Sequence, residues 1–445
     1  SEGRHTAYVW LVDGAGNADH RSAVAISDAI WYDNSSPVTV IALTAASGLN
    51  GWFVGPATFV MSATDSGSGV AAIRYQIDDG PVETGTEFTY REDGRHTVRI
   101  WAVDVAGNAE VPHVYELAID LTPPLAGFSG LSGYQARTRF EVSWSADDGA
   151  GSGIESYDVQ VRDGYDGAWI DWLRQTKQVS AQFDGERSHT YFFRVFATDR
   201  AGNRQPIGVT AGVLVEPVQN GEFDTGTFSD WVSGGVLFMA VAPTAGPGNT
   251  SILAARLGSE DYGPSLEAPG TVPVGSATIS QTVRIPTLDQ VRRPHLRFWY
   301  RVLTYDVMYS QRLQRYVDAL EVTLYDAQGS ELALLLRAGN PTSEYGKLYD
   351  TGWHLASIDL SAYAGQTVQL AFANWNRYDN LLNTWSFVDG IQIRDRVNTY
   401  VPMVVKDAQG GAGSAAAAGA VETHEEAVLP AVDEDFAKQF GIADG

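Results

Sequence analysis

The chain has no cysteine, a shortage of basic residues and no long apolar run, and each lack closes off a class of protein. Without cysteine no disulfide can staple a small domain, so every module must be held by its own apolar core. The same lack removes one argument for export without excluding it. Lys and Arg number 30 against 54 Asp and Glu, a formal net charge of −24 that repels nucleic acid and anionic lipid and favours solubility and cation binding. No nucleic-acid partner is expected. No apolar stretch approaches the roughly 18 residues of a membrane span, so no span is expected either. The chain opens at Ser1 without a basic and apolar leader, as a processed or truncated chain would.

Catalytic signatures are also missing. Among eight histidines there is no HExxH pair to hold zinc, and no GxSxG occurs. TDSGSG at 64–69 resembles a serine nucleophile loop, but DDGAGSG at 147–153 repeats its pattern and marks it as a turn that recurs. Acidic pairs are frequent, and none sits in a pattern that would push two pKa values apart. A non-catalytic protein is expected.

What is present is repetition. HTAYVWLVDGAGN at 5–17, HTVRIWAVDVAGN at 96–108 and HTYFFRVFATDRAGN at 189–203 each end a strand-like run in the same turn. Asp13, Asp104 and Asp199 lie roughly 90 residues apart, the size of one β-sandwich module. With 46 Gly and frequent Thr, Val, Tyr and Trp, short strands and tight turns dominate and helix is minor. The fold class expected is all-β: tandem Ig-like sandwiches, a C-terminal jelly roll and a flexible acidic tail. Aligned on the second copy, residues 1–34 supply only the last two strands of a truncated repeat, whose partner strands would lie upstream. Residues 35–121 form one complete module, and 122–216 the next, opening at TPP, where prolines suit a joint. The stretch DGYDGAWIDWLRQT lengthens the second of these modules and predicts a protruding hairpin.

GWFVGPATFVMSATDSGSGVAAIRYQIDDG with EDGRHTVRIWAVDVAGN resembles the bacterial Ig-like repeats of large secreted and cell-surface proteins. FEVSWSADD, GIESYDVQVRDG and HTYFFRVFATDRAGN resemble the second, third and sixth strands of a fibronectin type III domain, which implies a core Trp144 and a Tyr191 whose hydroxyl meets the backbone. NGEFDTGTFSDW, LRFWYRV, GWHLASIDLSAYAGQTVQLAFANWN and WSFVDGIQI follow the order of a jelly roll over 217–400 and resemble carbohydrate-binding modules and the MAM-like domains of secreted bacterial peptidases. Residues 401–445 hold YVPMVVK, which resembles endings common on secreted proteins of filamentous phototrophic bacteria, then a Gly/Ala linker and an acidic tail whose DEDFAKQF suits a turn or two of helix. These resemblances imply a secreted, extracellular or cell-surface location.

Four candidate sites follow. In the DxAGN turn, Asp104 accepts nearby amide hydrogen bonds, Gly107 takes positive φ and Asn108 closes the hairpin. In a second reading of the same turn, Asp65 joins Asp104, because these two loops share one end of an Ig-like sandwich, offering carboxylates to Ca²⁺ at a domain joint; Asp148 and Asp199 are the corresponding loop residues of the next repeat. Strand parity points Ala7, Val9 and Leu11, Val98, Ile100 and Ala102, and Phe193, Val195 and Ala197 inward, and Trp10, Trp101 and Phe196 outward, where Arg99 or Arg194 stems cover them. In the jelly roll, Tyr305, Tyr309, Trp375, Asn376, Arg377 and Tyr378 offer flat rings and hydrogen-bonding groups to a glycan or partner, while Trp375 and Tyr378 read equally as loop anchors. Trp299, Trp353 and Trp385 are expected to fill its core. The jelly-roll resemblance further implies a structural Ca²⁺ held by Glu222, Asp224 and Asp389, although Gly390 stands where a second acid is usual.

Two functions fit: an extracellular scaffold or adhesin, a rod of Ig-like modules that presents the jelly roll to glycan or to neighbouring subunits and assembles with itself, or the substrate-targeting accessory region of a secreted hydrolase or peptidase.

Overall fold

The computed structural model describes residues 2–6, 12–17, 29–262, 272–378 and 380–396. The expectations for Ala7, Val9, Trp10 and Leu11, for the YVPMVVK ending and for the acidic tail lie outside them. The described chain is all-β: apart from two single turns of 3-10 helix, Pro247–Asn249 and Ser361–Tyr363, its named elements are strands.

An N-terminal ribbon pairs Gly3–Thr6 with Ala29–Tyr32 in antiparallel register. The proximal sandwich sets a three-stranded sheet, Val38–Thr44, Ala57–Thr64 and Glu87–Tyr90, against a four-stranded sheet of Val82–Thr84, Val70–Ile77, Gly94–Asp104 and His113–Ile119. The period-two pattern explains the pairing of faces. Val98, Ile100 and Ala102 are fully buried at alternate positions and meet Phe59, Met61 and Ile73 in one core.

The middle sandwich repeats the design, with Leu125–Ser129, Arg139–Asp147 and Ser180–Asp184 facing a sheet of five strands, Tyr134–Gln135, Val209–Val215, Thr190–Asp199, Ile154–Asp163 and Ile170–Thr176. Phe193, Val195 and Ala197 point inward as the parity argument requires. Trp144 is buried among them, and the Tyr191 hydroxyl accepts the Glu186 amide at 3.0 Å. The DGYDGAWIDWLRQT segment does not protrude. Ile170–Thr176 pairs with Ile154–Asp163, Trp172 enters the core, and Trp169 folds onto the outer face between two guanidiniums. The gain is physical, because a free hairpin would leave both indoles wet.

The C-terminal sandwich packs a five-stranded sheet, Val232–Gly235, Gly275–Arg284, Thr367–Asn376, Ala319–Tyr325 and Glu331–Ala338, on a second sheet built around Thr384–Asp395 and Pro294–Thr304. Its main core is centred on Phe298, Phe372 and Phe223 with Trp231. The expected core tryptophans lie elsewhere. Trp385 is buried in a small satellite cluster with Leu303 and Phe387, and Trp299 and Trp353 are half-buried. Strand alternation turns Trp299 and Trp385 away from the main core, and Trp353 stands in the loop ahead of His354–Asp359.

Candidate functional site

Two groups of three carboxylates converge, Asp33 with Asp65 and Asp104, and Asp120 with Asp148 and Asp199; in each group one oxygen from every member lies within 4.8 Å of the others. The groups are copies. Asp33 and Asp120 directly follow the last strand of the preceding module, Ala29–Tyr32 or His113–Ile119. Asp65 and Asp148 open the loop after Ala57–Thr64 and Arg139–Asp147, and Asp104 and Asp199 end Gly94–Asp104 and Thr190–Asp199.

The DxAGN turn has the hydrogen bonds its sequence requires. Asp104 Oδ1 accepts the Asn108 amide at 2.7 Å and Asp199 Oδ1 accepts that of Asn203 at 2.8 Å, while Gly107 and Gly202 take φ of 95° and 101°. The Asn side chains then reach back to the incoming linker, Asn108 Nδ2 to the Asp33 carbonyl at 3.1 Å and Asn203 Nδ2 to that of Asp120 at 2.9 Å. The other loop closes from the opposite side. Ser68 and Ser152 amides donate to Asp33 and Asp120 at 2.6 and 2.7 Å, and Gly69 and Gly153 amides to Asp65 and Asp148 at 2.7 and 2.6 Å. A Cβ at position 67 would come within 2.3 Å of the Asp33 carboxylate, and one at 151 within 2.9 Å of that of Asp120, so each loop needs glycine there.

After these bonds are counted, Asp65 Oδ1 in the first group, and Asp120 Oδ1, Asp148 Oδ1 and Asp199 Oδ2 in the second, are buried without a partner. Asp120 and Asp199 are 0% and 1% exposed. Burial pushes Asp148 up to about 6, with Asp120, Asp199 and Asp93 adding like charge, and burial raises Asp199 as well. Asp33 goes the other way, held down to about 2 by hydrogen bonds from Ser68. Unpaired buried carboxylate oxygens are costly. A hard cation with oxygen ligands relieves that cost, and two oxygens on opposite sides of a Ca²⁺ ion stand roughly 4.8 Å apart, which fits these groups.

The hydrogen-bonded turn is the device that brings Asp65 to Asp104 and Asp148 to Asp199. Sequence reasoning missed the third member of each group. Its signal was present as an Asp three or four residues ahead of the proline that opens a module, DNSSP at 33–37 and DLTP at 120–123.

The jelly-roll residues are dispersed by comparison. Trp375 is half-buried under the Arg377 guanidinium, 4.3 Å from its ring centroid, and Arg377 is forked to Glu321. Tyr378 is 55% exposed with Arg315 at 4.5 Å over its ring. Asn376 is a correction: it is buried, its Oδ1 accepting the Thr384 amide, so it serves the hairpin and is out of reach of a ligand. Tyr305 packs beside Trp385, and Tyr309 lies edge-on to Tyr316. Glu222, Asp224 and Asp389 do not form a converging group of the kind described above, although Asp389 is pushed up to about 7 by burial, with Glu222 and Asp224 adding repulsion. Glu222 instead accepts from Gln392. On the outer faces Phe196 carries Arg194, as parity suggested, and Arg204 as well, whereas Arg99 reaches the Asp78 carbonyl and no guanidinium lies over Trp101 among the described residues.

No protein-family model matches the chain, and no curated protein matches it. Several solved structures are similar in fold. The cleaved adhesin domain K3 of Lys-gingipain from Porphyromonas gingivalis is 17% identical over 40% of this chain and 96% of its own, with a TM-score of 0.25. A promiscuous carbohydrate-binding module of the β-sandwich superfamily is 16% identical over 62% and 99%, with a TM-score of 0.24. A tetra-tandem repeat from the extending region of a large adhesion protein is 14% identical over 88% and 81%, with a TM-score of 0.22. They match the suspected architecture in kind, and at such scores they carry no weight for function.

Proposed function

We propose that the chain is a non-catalytic extracellular adhesive scaffold whose successive sandwiches are joined through Ca²⁺ and which presents the C-terminal jelly roll to a glycan or a neighbouring subunit. The observation that supports this is the repetition of one carboxylate group at two consecutive joints, built each time from a linker Asp and two loop Asp residues. A site placed where chain leaves one module and enters the next acts on the joint itself: an ion there ties the linker to both loops of the following sandwich. In a chain of net charge −24 it also offsets the repulsion between acidic modules. The joint between the middle sandwich and the jelly roll is built differently. Glu216 accepts from the Ile393 amide at 2.9 Å and from Arg394 Nε at 3.1 Å, and Gln290 reaches Asp163 at 2.7 Å, so side chains close it, and among the described residues no acidic triad lies there.

Calorimetric titration of the whole chain tests this reading. Two Ca²⁺ ions per chain are expected at these joints, one lost in Asp65→Asn and the other in Asp148→Asn. Titration curves unaltered by both substitutions would refute the sites.

A further inference from the structure

We infer that the cleft between the proximal and middle sandwiches binds the carboxylate of an acidic sugar, such as a terminal uronic acid of a glycan. The cleft encloses about 490 Å³, within the usual span of small-molecule sites, and is lined by Asn50, Trp52 and Arg95 from one sandwich and Gly151, Ser152 and Arg200 from the next. Its walls are fixed by contacts across the joint. The Leu49 amide donates to the Ala201 carbonyl at 2.7 Å, Asn50 Nδ2 donates to the Arg200 carbonyl at 2.8 Å, and Trp52 packs with Ala118 and Ala201.

The two arginines carry the inference. Arg95 and Arg200 face one cleft from two different modules, and among the described residues neither has a carboxylate within 4.0 Å. Arg95 lies over the Trp52 ring, 5.0 Å from its centroid, a cation–π contact that holds the guanidinium against the cleft wall. The Asn50 side-chain oxygen beside them is left to accept from a sugar hydroxyl, its amide nitrogen being committed to the Arg200 carbonyl. A single-charged sugar suits this set better than an acidic peptide, which needs more than two cations and is repelled by the net charge of −24.

The cleft adjoins the second carboxylate group through Gly151 and Ser152 but uses none of its aspartates, so it is tested with and without Ca²⁺. The whole chain is titrated with a glucuronic acid-terminated oligosaccharide, its glucose-terminated counterpart and inorganic sulfate. Expected is saturable binding of the uronate, at least about ten-fold weaker in Arg95→Gln or Arg200→Gln and about ten-fold weaker for the neutral sugar. Both arginines are exposed, so an unchanged melting temperature in the variants is the control for folding. The inference is overturned if the uronate does not bind in either condition, if the variants keep wild-type affinity, or if sulfate binds as tightly as the uronate.

Discussion

Glu321 shows how one buried charge organises a face of the jelly roll. It is 8% exposed and sits between Arg337, 2.7 Å from its Oε1, and Arg377, 2.7 Å from its Oε2, and these guanidiniums lie over Tyr316 and Trp375. Burial works to raise its pKa, and the two arginines outweigh it, so the carboxyl titrates below its ordinary value of 4.5. A carboxylate whose folded pKa is depressed contributes stability that is present above the unfolded pKa and lost as pH falls through the folded one. Glu321→Gln is therefore expected to cost about 3 kcal/mol at neutral pH, because it leaves two half-buried cations unpaired. It should also flatten the loss of stability below pH 4.5. Denaturant unfolding followed from neutral to acid pH checks both, and parallel curves for the two proteins would contradict the assignment.

At the scale of elements, the outer face of the middle sandwich is a ladder of alternating cations and rings. Trp169 lies between Arg162 at 4.9 Å and Arg194 at 4.3 Å, Arg162 also covers Phe192, and Arg194 and Arg204 cover Phe196. Arg292 of the jelly roll extends the row over Tyr165. Trp169→Ala removes two cation–π contacts and the burial of an indole, an expected loss of about 2 kcal/mol in equilibrium unfolding; a change below about 0.5 kcal/mol would show that the ladder is surface decoration. The parity of Thr190–Asp199 was legible in the sequence because period-two alternation fixes which residues share a face. The insertion's fold was not, since whether a hairpin stands free or lies down depends on arginines 7 residues before Trp169 and 25 after it. The same limit governs the carboxylate groups. The repeated turns placed Asp65 near Asp104 and gave Asp148 and Asp199 the same loop positions, but Asp33 and Asp120 sit in linkers, where no periodicity marks a direction.

For the whole molecule, the decisive contrast is between two joints carrying a carboxylate triad and a third closed by Glu216, Arg394 and Gln290. The triads leave buried oxygens unpaired in a chain without disulfides, so stability of the proximal and middle sandwiches is expected to depend on a bound cation. Thermal unfolding of the whole chain in millimolar Ca²⁺ and in excess chelator measures this directly. At a free concentration one hundred times the dissociation constant, each filled site adds about 2.7 kcal/mol, and a sandwich of this size then melts roughly 10 °C higher. The account predicts that shift for wild-type protein and its disappearance when Asp104 and Asp199 are both replaced by Asn; melting curves that superimpose with and without Ca²⁺ would contradict it.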